Sequence, residues 1–206
     1  IQIKKFGVET RLGTEATLEI ILGMNPDVVI VATGAKPYIP PIPGSEGKNV
    51  VTAWDIMEES CECGESVAVI DTQGLNIGAF TADFLAERGK KVRIVTQLPY
   101  MGTEINKHVW RILYERLLGK RVEILPFTMV KEIREGSLLA YHTVTNAESV
   151  IDGIDTVVLA TGATANDGLY RSLKGKVREL YAIGDCAAPR DVEAAIYEGH
   201  KIGRIL

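Results

Sequence analysis

The sequence predicts an α/β fold built mainly on parallel strands, and three observations carry that prediction. Runs of β-branched residues alternate with helical patterns along the chain. The stretch "VAVIDTQGLNIGAFTADFLAERGKKVRIVT", residues 67 to 96, reads as strand, tight loop, helix, strand. Two further apolar runs, Val29-Ile30-Val31-Ala32-Thr33-Gly34-Ala35 and Val157-Val158-Leu159-Ala160-Thr161-Gly162-Ala163, are near copies and carry the same Ala-Thr-Gly. Continuous runs of this kind suit strands buried on both faces.

In chain order, "GVETRLG" (7–13) alternates like a short strand, and "PDVVIVATGA" (26–35) is the first buried one. "KPYIPPIPGSEG" (36–47) follows, and its four prolines and two glycines can continue neither a helix nor a ladder. It reads as an inter-domain crossing. Residues 67–71 form a strand, and a helix is predicted from Ile77 to Arg88 on an apolar face of Ile77, Phe80, Phe84 and Leu85. Gly89 is placed to end it. "KVRIVT" (91–96) is the next strand, and "INKHVWRILYERLLGK" (105–120) is an amphipathic helix carrying Val109, Ile112, Leu113 and Leu117. From Val122 to Asp152 the pattern changes to short strands, "VEIL", "TMVKEIREG", "SLLAYHTV" and "ESVID", which read as an antiparallel β-meander with a hairpin at Gly136. "DTVVLATGAT" (155–164) repeats the buried strand, and "LYAIGDCAAPRDVEAAIYEGHKIGRIL" (180–206) gives a strand, a Gly-Asp turn and a helix starting near Arg190 or Asp191. The sum is a Rossmann-like three-layer α/β domain with an antiparallel meander.

Composition narrows the function classes. The 206 residues are 46% hydrophobic and 24% charged, an ordinary globular balance for one or two domains. A formal charge of −4 provides no basic footprint for nucleic acid. No apolar run approaches the roughly 20 residues of a membrane span, and no signal peptide is recognised, so the cytoplasm is expected. Cys61-Glu62-Cys63 lacks the second half of a zinc site and reads as polar linker. Trp110, His108 and His142 have no matching partners and are assigned to packing or surface. The chain opens at Ile1, apparently mid-element, and reads as a piece of a longer polypeptide.

Three features converge on ligand chemistry: the two Ala-Thr-Gly strand ends and the strand ending Ile183-Gly184-Asp185. A glycine at the carboxyl edge of a parallel strand lets backbone approach a ligand, and that edge is where ligands of open α/β sheets lie. An aspartate there can accept hydrogen bonds from sugar or ribityl hydroxyls. The helix beginning near Asp191 aims N–H groups and a partial positive charge at the same region.

The order Ala-Thr-Gly, proline-rich linker, βαβ, meander, second Ala-Thr-Gly, then Tyr181-Ala182-Ile183-Gly184-Asp185-Cys186, resembles the FAD-dependent pyridine nucleotide–disulfide reductase superfamily. Within it, the loop D-x-x-G-x-x-x-G and the ending A-P-R-D-V-E-A-A-I-Y-E-G-H resemble the carboxyl-terminal part of a multidomain subgroup. That subgroup includes 2,4-dienoyl-CoA reductase and the trimethylamine and dimethylamine dehydrogenases. The resemblance covers nearly the whole chain. It implies that residues 1–42 are part of an FAD-type domain, 43–165 an NAD(P)-type domain, and 166–206 a return to the first. It further implies that Ala32, Thr33 and Gly34 lie beside FAD or ADP. Gly184 and Asp185 would contact ribityl and pyrophosphate with Cys186 beside them, and Gly162 would border a nicotinamide. An FMN barrel with a four-iron cluster, and the other half of the FAD-type domain, would be partners in the missing amino-terminal part. No upstream FAD fingerprint, cluster cysteines or redox-active disulfide motif is present in this sequence.

The loop Asp71-Thr72-Gln73-Gly74-Leu75-Asn76-Ile77-Gly78 departs from G-x-G-x-x-G. Leu85-Ala86-Glu87-Arg88-Gly89 matches the family's L-A-x-x-G and sets Gly78 as the third fingerprint glycine, which permits close helix–strand packing. The loop is then about two residues longer than usual. Asp71 replaces the first glycine and puts a negative charge where a pyrophosphate approaches, a repulsion of several kcal/mol at intermediate dielectric. Gly74 is its other glycine, and Thr96-Gln97 stands where an acid would hold the NAD ribose. A degraded or unusual nucleotide site and a competent NAD(P)H site with altered loop chemistry both stay open.

The expectation is therefore the carboxyl-terminal dinucleotide-binding region of a multidomain flavin-dependent oxidoreductase, inactive as an isolated piece. It would carry FAD or ADP, with NAD(P)H as a second cofactor, and homo-oligomers are allowed. No catalytic acid, base or nucleophile and no metal site is nominated. The rival is a non-catalytic ADP- or FAD-holding or assembly module with a vestigial NAD(P) site.

Overall fold

A computed structural model describes residues 2–206. The chain begins with α1 (Gln2–Lys5), α2 (Leu18–Met24), β1 (Val28–Val31) and the short β2 (Ala35–Pro37). Next come β3 (Val50–Thr52), α3 (Ala53–Met57), β4 (Ser66–Asp71), α4 (Asn76–Glu87), β5 (Lys91–Thr96), α5 (Lys107–Gly119) and β6 (Glu123–Leu125). The antiparallel strands β7 (Thr128–Arg134), β8 (Gly136–His142) and β9 (Glu148–Ile154) follow. The chain closes with β10 (Thr156–Ala160), β11 (Ala163–Ala165), α6 (Gly168–Leu173), β12 (Glu179–Ala182), a 3-10 turn at Gly184–Cys186 and α7 (Val192–Ile205). It divides into two compact units: unit 1 is residues 1–36 and 164–206, and unit 2 is residues 37–163.

Unit 2 is a three-layer sandwich. Its parallel sheet has the order β3-β10-β4-β5-β6. Period-2 alternation along β4 sends Val67 and Val69 to a helical layer with Ala79, Ala82, Leu85, Leu113 and Leu117. The intervening Ala68 and Ile70 face the opposite way, onto Val130, Ile133, Leu138 and Ile154 of the meander. Both faces are covered, which is why β4 and β10 read as unbroken apolar runs. α3 starts on a capping box: the Thr52 hydroxyl accepts from Asp55 N and the Asp55 carboxylate accepts from Thr52 N.

Unit 1 holds a parallel pair, β1 and β12, registered from Val28 against Glu179 to Val31 against Ala182. Val31, Leu173 and Cys186 form its small core, with Leu18, Ile21 and Leu169 packed around them. The buried residues of unit 1 are few, and none of α7 is fully buried.

Two sequence expectations are corrected. Residues 7–13 form no strand: every side chain there is exposed, and Glu9 and Arg11, on the apparent polar stripe, pair only with each other. Alternation without a partner edge makes no ladder. Residues 122–125 were expected in the meander, yet β6 runs parallel to β5 as the outer strand of the main sheet, and the meander is β7–β9 alone. α5 and its tight end at Lys120 and Arg121 return the chain alongside β5, which enforces the parallel sense. α2, a seven-residue helix capped by Thr17, was not foreseen.

Candidate functional site

Each unit presents the carboxyl ends of its parallel strands, and the predicted site residues other than Cys186 fall on or next to these two edges.

In unit 1 the edge is formed by Ala32, Thr33 and Gly34 after β1 and by Gly184 and Asp185 after β12. The Ile183 N–H donates to the Val31 carbonyl at 3.0 Å and carries the pairing one step past the strands. Asn166 clasps the first turn. Its backbone N–H donates to Gly34 O, its amide donates to Thr33 O at 3.3 Å, and Thr33 Oγ1 donates back to Asn166 O at 2.6 Å. Gly34 sits at φ +71°, and a β-carbon there would meet nothing within 4 Å, so the edge is open on that side.

The second turn is held from α7. Glu198 accepts the Gly184 N–H at 2.7 Å and pairs with Arg190, which keeps its carboxyl below the usual carboxylate range. Asp185 Oδ1 accepts from Arg190 N at 3.1 Å, while Oδ2 has no hydrogen-bond donor among the described residues. Asp191 caps α7 by accepting from Ala194 N at 2.8 Å. A backbone edge without side chains, a half-used carboxylate and a capped helix start together suit the hydroxyls and phosphates of a dinucleotide. Cys186 lies elsewhere: its side chain is buried in the unit 1 core with Val31 and Leu173.

In unit 2 the sheet register places Asp71 beside Thr96 on one side and beside Ala160 on the other, with Thr161 and Gly162 next in the chain. Asp71, Thr96 and Gly162 are thus brought to one edge, as the strand pattern implies. What occupies that edge is the chain's own side chains. Asp71 has no exposed surface. Its Oδ1 accepts from Gly74 N at 2.9 Å and from Gln73 N at 3.1 Å, while Oδ2 is buried without a partner. Burial raises the carboxyl's proton affinity, and the Gly74 and Gln73 bonds oppose that only in part.

Gly78 performs the packing role foreseen for it, but its clearance is taken by Asp71. A β-carbon on Gly78 would come within 3.0 Å of both Asp71 Cβ and Cγ. Gly162, at φ +97°, faces the Gln73 amide, which would lie 2.3 Å from a β-carbon there. Gly74 lies under the segment after β5: a β-carbon on it would be 2.3 Å from Thr103 Oγ1 and 2.7 Å from Leu98 Cδ1. The Glu104 N–H donates to Gly74 O, and Thr96 Oγ1 accepts from Leu98 N rather than facing outward. These residues do not fit a pyridine dinucleotide in the fingerprint pose.

Sequence reasoning missed Asn166, Arg190, Glu198, Gln73 and Thr103. The positive-φ glycines at 74 and 102 are the one signal that the two covering loops are tight. Among the described residues no group of three His, Cys, Asp or Glu side chains could hold a metal, and no helix is long and apolar enough to cross a membrane.

The chain is 36% identical over 207 residues to bilirubin reductase of Mediterraneibacter gnavus, covering all of this chain and 31% of that protein. It is 29% identical to N,N-dimethylglycine/sarcosine dehydrogenase of Chromohalobacter salexigens, over 98% of this chain and 35% of the relative. Among solved structures, 2-naphthoyl-CoA reductase superposes with a TM-score of 0.89 at 32% identity, over 98% of this chain and 30% of that one. A CoA-thioester reductase and an N-methyl dehydrogenase are the kinds of protein that the loop and the carboxyl-terminal motif resemble. The chain spans about a third of the length of the curated relatives it matches. Residues 3–199 match the pyridine nucleotide-disulphide oxidoreductase family, and the chain belongs to it.

Proposed function

We propose that this chain is the dinucleotide-holding region of a multidomain flavin-dependent oxidoreductase, and that unit 1 carries FAD or ADP at the edge formed by Thr33-Gly34 and Gly184-Asp185. The observation that supports it best is the Gly184–Asp185 turn. Glu198 on α7 and Arg190 just ahead of that helix fix the turn, while Asp185 keeps one oxygen without a hydrogen-bond donor among the described residues. A bound flavin would supply the redox chemistry; the chain's residues position it and set its electrostatic surroundings. An FMN barrel and a four-iron cluster in the rest of the protein, electron transfer among these centres, a cytoplasmic location and assembly of copies belong to the same proposal. Unit 2 favours the second reading for its own half, a structural module around a rebuilt NAD(P) site.

The test is cofactor analysis of the full-length protein after heat release. FAD or ADP is expected at about one per chain, beyond any FMN. Asp185→Ala should weaken its retention roughly tenfold to a hundredfold, the value of a hydrogen bond to a charged group. Absence of any adenine nucleotide from the wild type, or retention indifferent to Asp185→Ala, contradicts the proposal.

A further inference from the structure

We infer that Asp71 is a built-in occupant: its carboxyl group stands where unit 2 would seat a dinucleotide phosphate, and this residue makes unit 2 refuse pyridine nucleotides. The inference concerns unit 2 alone and does not depend on what unit 1 holds.

In a strand–loop–helix site the loop N–H groups are the anion's donors, and the glycine at the helix start gives it room. Here both provisions are already used. The N–H groups of Gln73 and Gly74 point at Asp71 Oδ1, at 3.1 and 2.9 Å. The space over Gly78 is filled by Asp71 Cβ and Cγ. A phosphate entering the loop would have to displace a carboxylate tethered to the end of β4, whose effective concentration a free ligand cannot match. It would also approach the unpartnered Oδ2. Like charges about 4 Å apart at intermediate dielectric lower affinity by roughly a thousandfold. Gln73 against Gly162 and Thr103 against Gly74 close the flanking approaches. The opposite role is chemically defined as well: a protonated Asp71 would donate to a phosphate oxygen, and a variant without that carboxyl would lose nucleotide rather than gain it.

The experiment uses the full-length protein saturated with ADP, titrated with NAD+ and NADP+, which do not reduce flavin. Binding is read by calorimetry and located by hydrogen exchange of peptides spanning residues 70–80. Wild type should show no protection of these peptides at about 1 mM nucleotide, a level that detects even weak sites. Asp71→Asn keeps an acceptor for the two loop N–H groups and keeps the space over Gly78 filled while removing the charge, so any gain in NAD+ or NADP+ binding should fall short of that of Asp71→Gly. Asp71→Gly, which restores the fingerprint residue, should gain protection of 70–80 and bind NAD+ or NADP+ at least tenfold more tightly. Asp71→Ala removes the same carboxylate and carries this arm if the glycine variant is not folded by near-UV circular dichroism. Wild-type protection that Asp71→Asn weakens overturns the inference and makes Asp71 a nucleotide ligand. A folded Asp71→Gly or Asp71→Ala protein that gains nothing overturns it too. Loss of adenine nucleotide from unit 1 would sink the proposed function and leave this inference standing.

Discussion

A carboxyl group with no exposed surface and one unpartnered oxygen should leave a mark on the pH dependence of stability. Asp71 holds its proton more tightly in the folded chain than an ordinary aspartate does, chiefly through burial. Its contribution to stability is therefore complete below the unfolded aspartate value of about 3.9 and is lost as pH rises through the higher folded value. Asp71→Asn lacks this titration, so wild type should lose stability relative to the variant as pH is raised from about 4 towards neutrality. Urea denaturation of both proteins across that range measures the gap, and a gap that stays constant with pH contradicts the assignment. Asp71 and Gly78 were legible because a fingerprint fixes what stands at their positions. Gln73 and Thr103 were not: each closes over a glycine brought near by the sheet or by a neighbouring loop, and such a contact leaves no periodic trace in the chain.

Among the elements, the packing of α4 on β4 depends on one missing β-carbon. Gly78→Ala would press on Asp71 at 3.0 Å and should destabilise unit 2 by about 1–3 kcal/mol, as overpacking does. The same change in an Asp71→Gly background loses the clash and keeps the gain of alanine over glycine in a helix, about 1 kcal/mol, so it should turn neutral or stabilising. A double-mutant cycle by denaturation would return a coupling of at least about 1 kcal/mol if the two side chains meet as described. Strands and helices of unit 2 were readable from sequence because each buries a continuous face: α4 was expected from Ile77 to Arg88 and runs Asn76–Glu87, and the expected 91–96 strand is β5 itself. The misreadings fall where burial is slight. Residues 7–13 alternate without a partner, and the short β6 carries a pattern that cannot distinguish a parallel neighbour from a meander.

For the molecule as a whole, the two units differ in how completely they cover their apolar residues. Unit 2 buries side chains such as Leu85, Ile94 and Leu117 almost fully, each worth about 1.5–3 kcal/mol. Unit 1 leaves Ile20, Ile30, Val192, Ile196 and Tyr197 exposed, the last three on α7. Expressed by itself, the 206-residue chain should bind a hydrophobic dye and associate in sedimentation, since a soluble monomer rarely shows such a patch. Paired charges at Val192→Lys and Ile196→Lys should suppress both signals, and persistence of either at wild-type strength contradicts the reading.

Unit 2 is one continuous stretch of chain, whereas unit 1 is assembled from segments on either side of it. The β1–β12 pairing therefore cannot form during synthesis until every residue of the inserted unit has been made. Condensing unit 2 first shortens the effective loop that this pairing must close. An Asp71-filled loop needs no ligand to reach its final form, so nothing delays that early step. The edge with Gly184 and Asp185 is then completed only after β12 and α7 have been made.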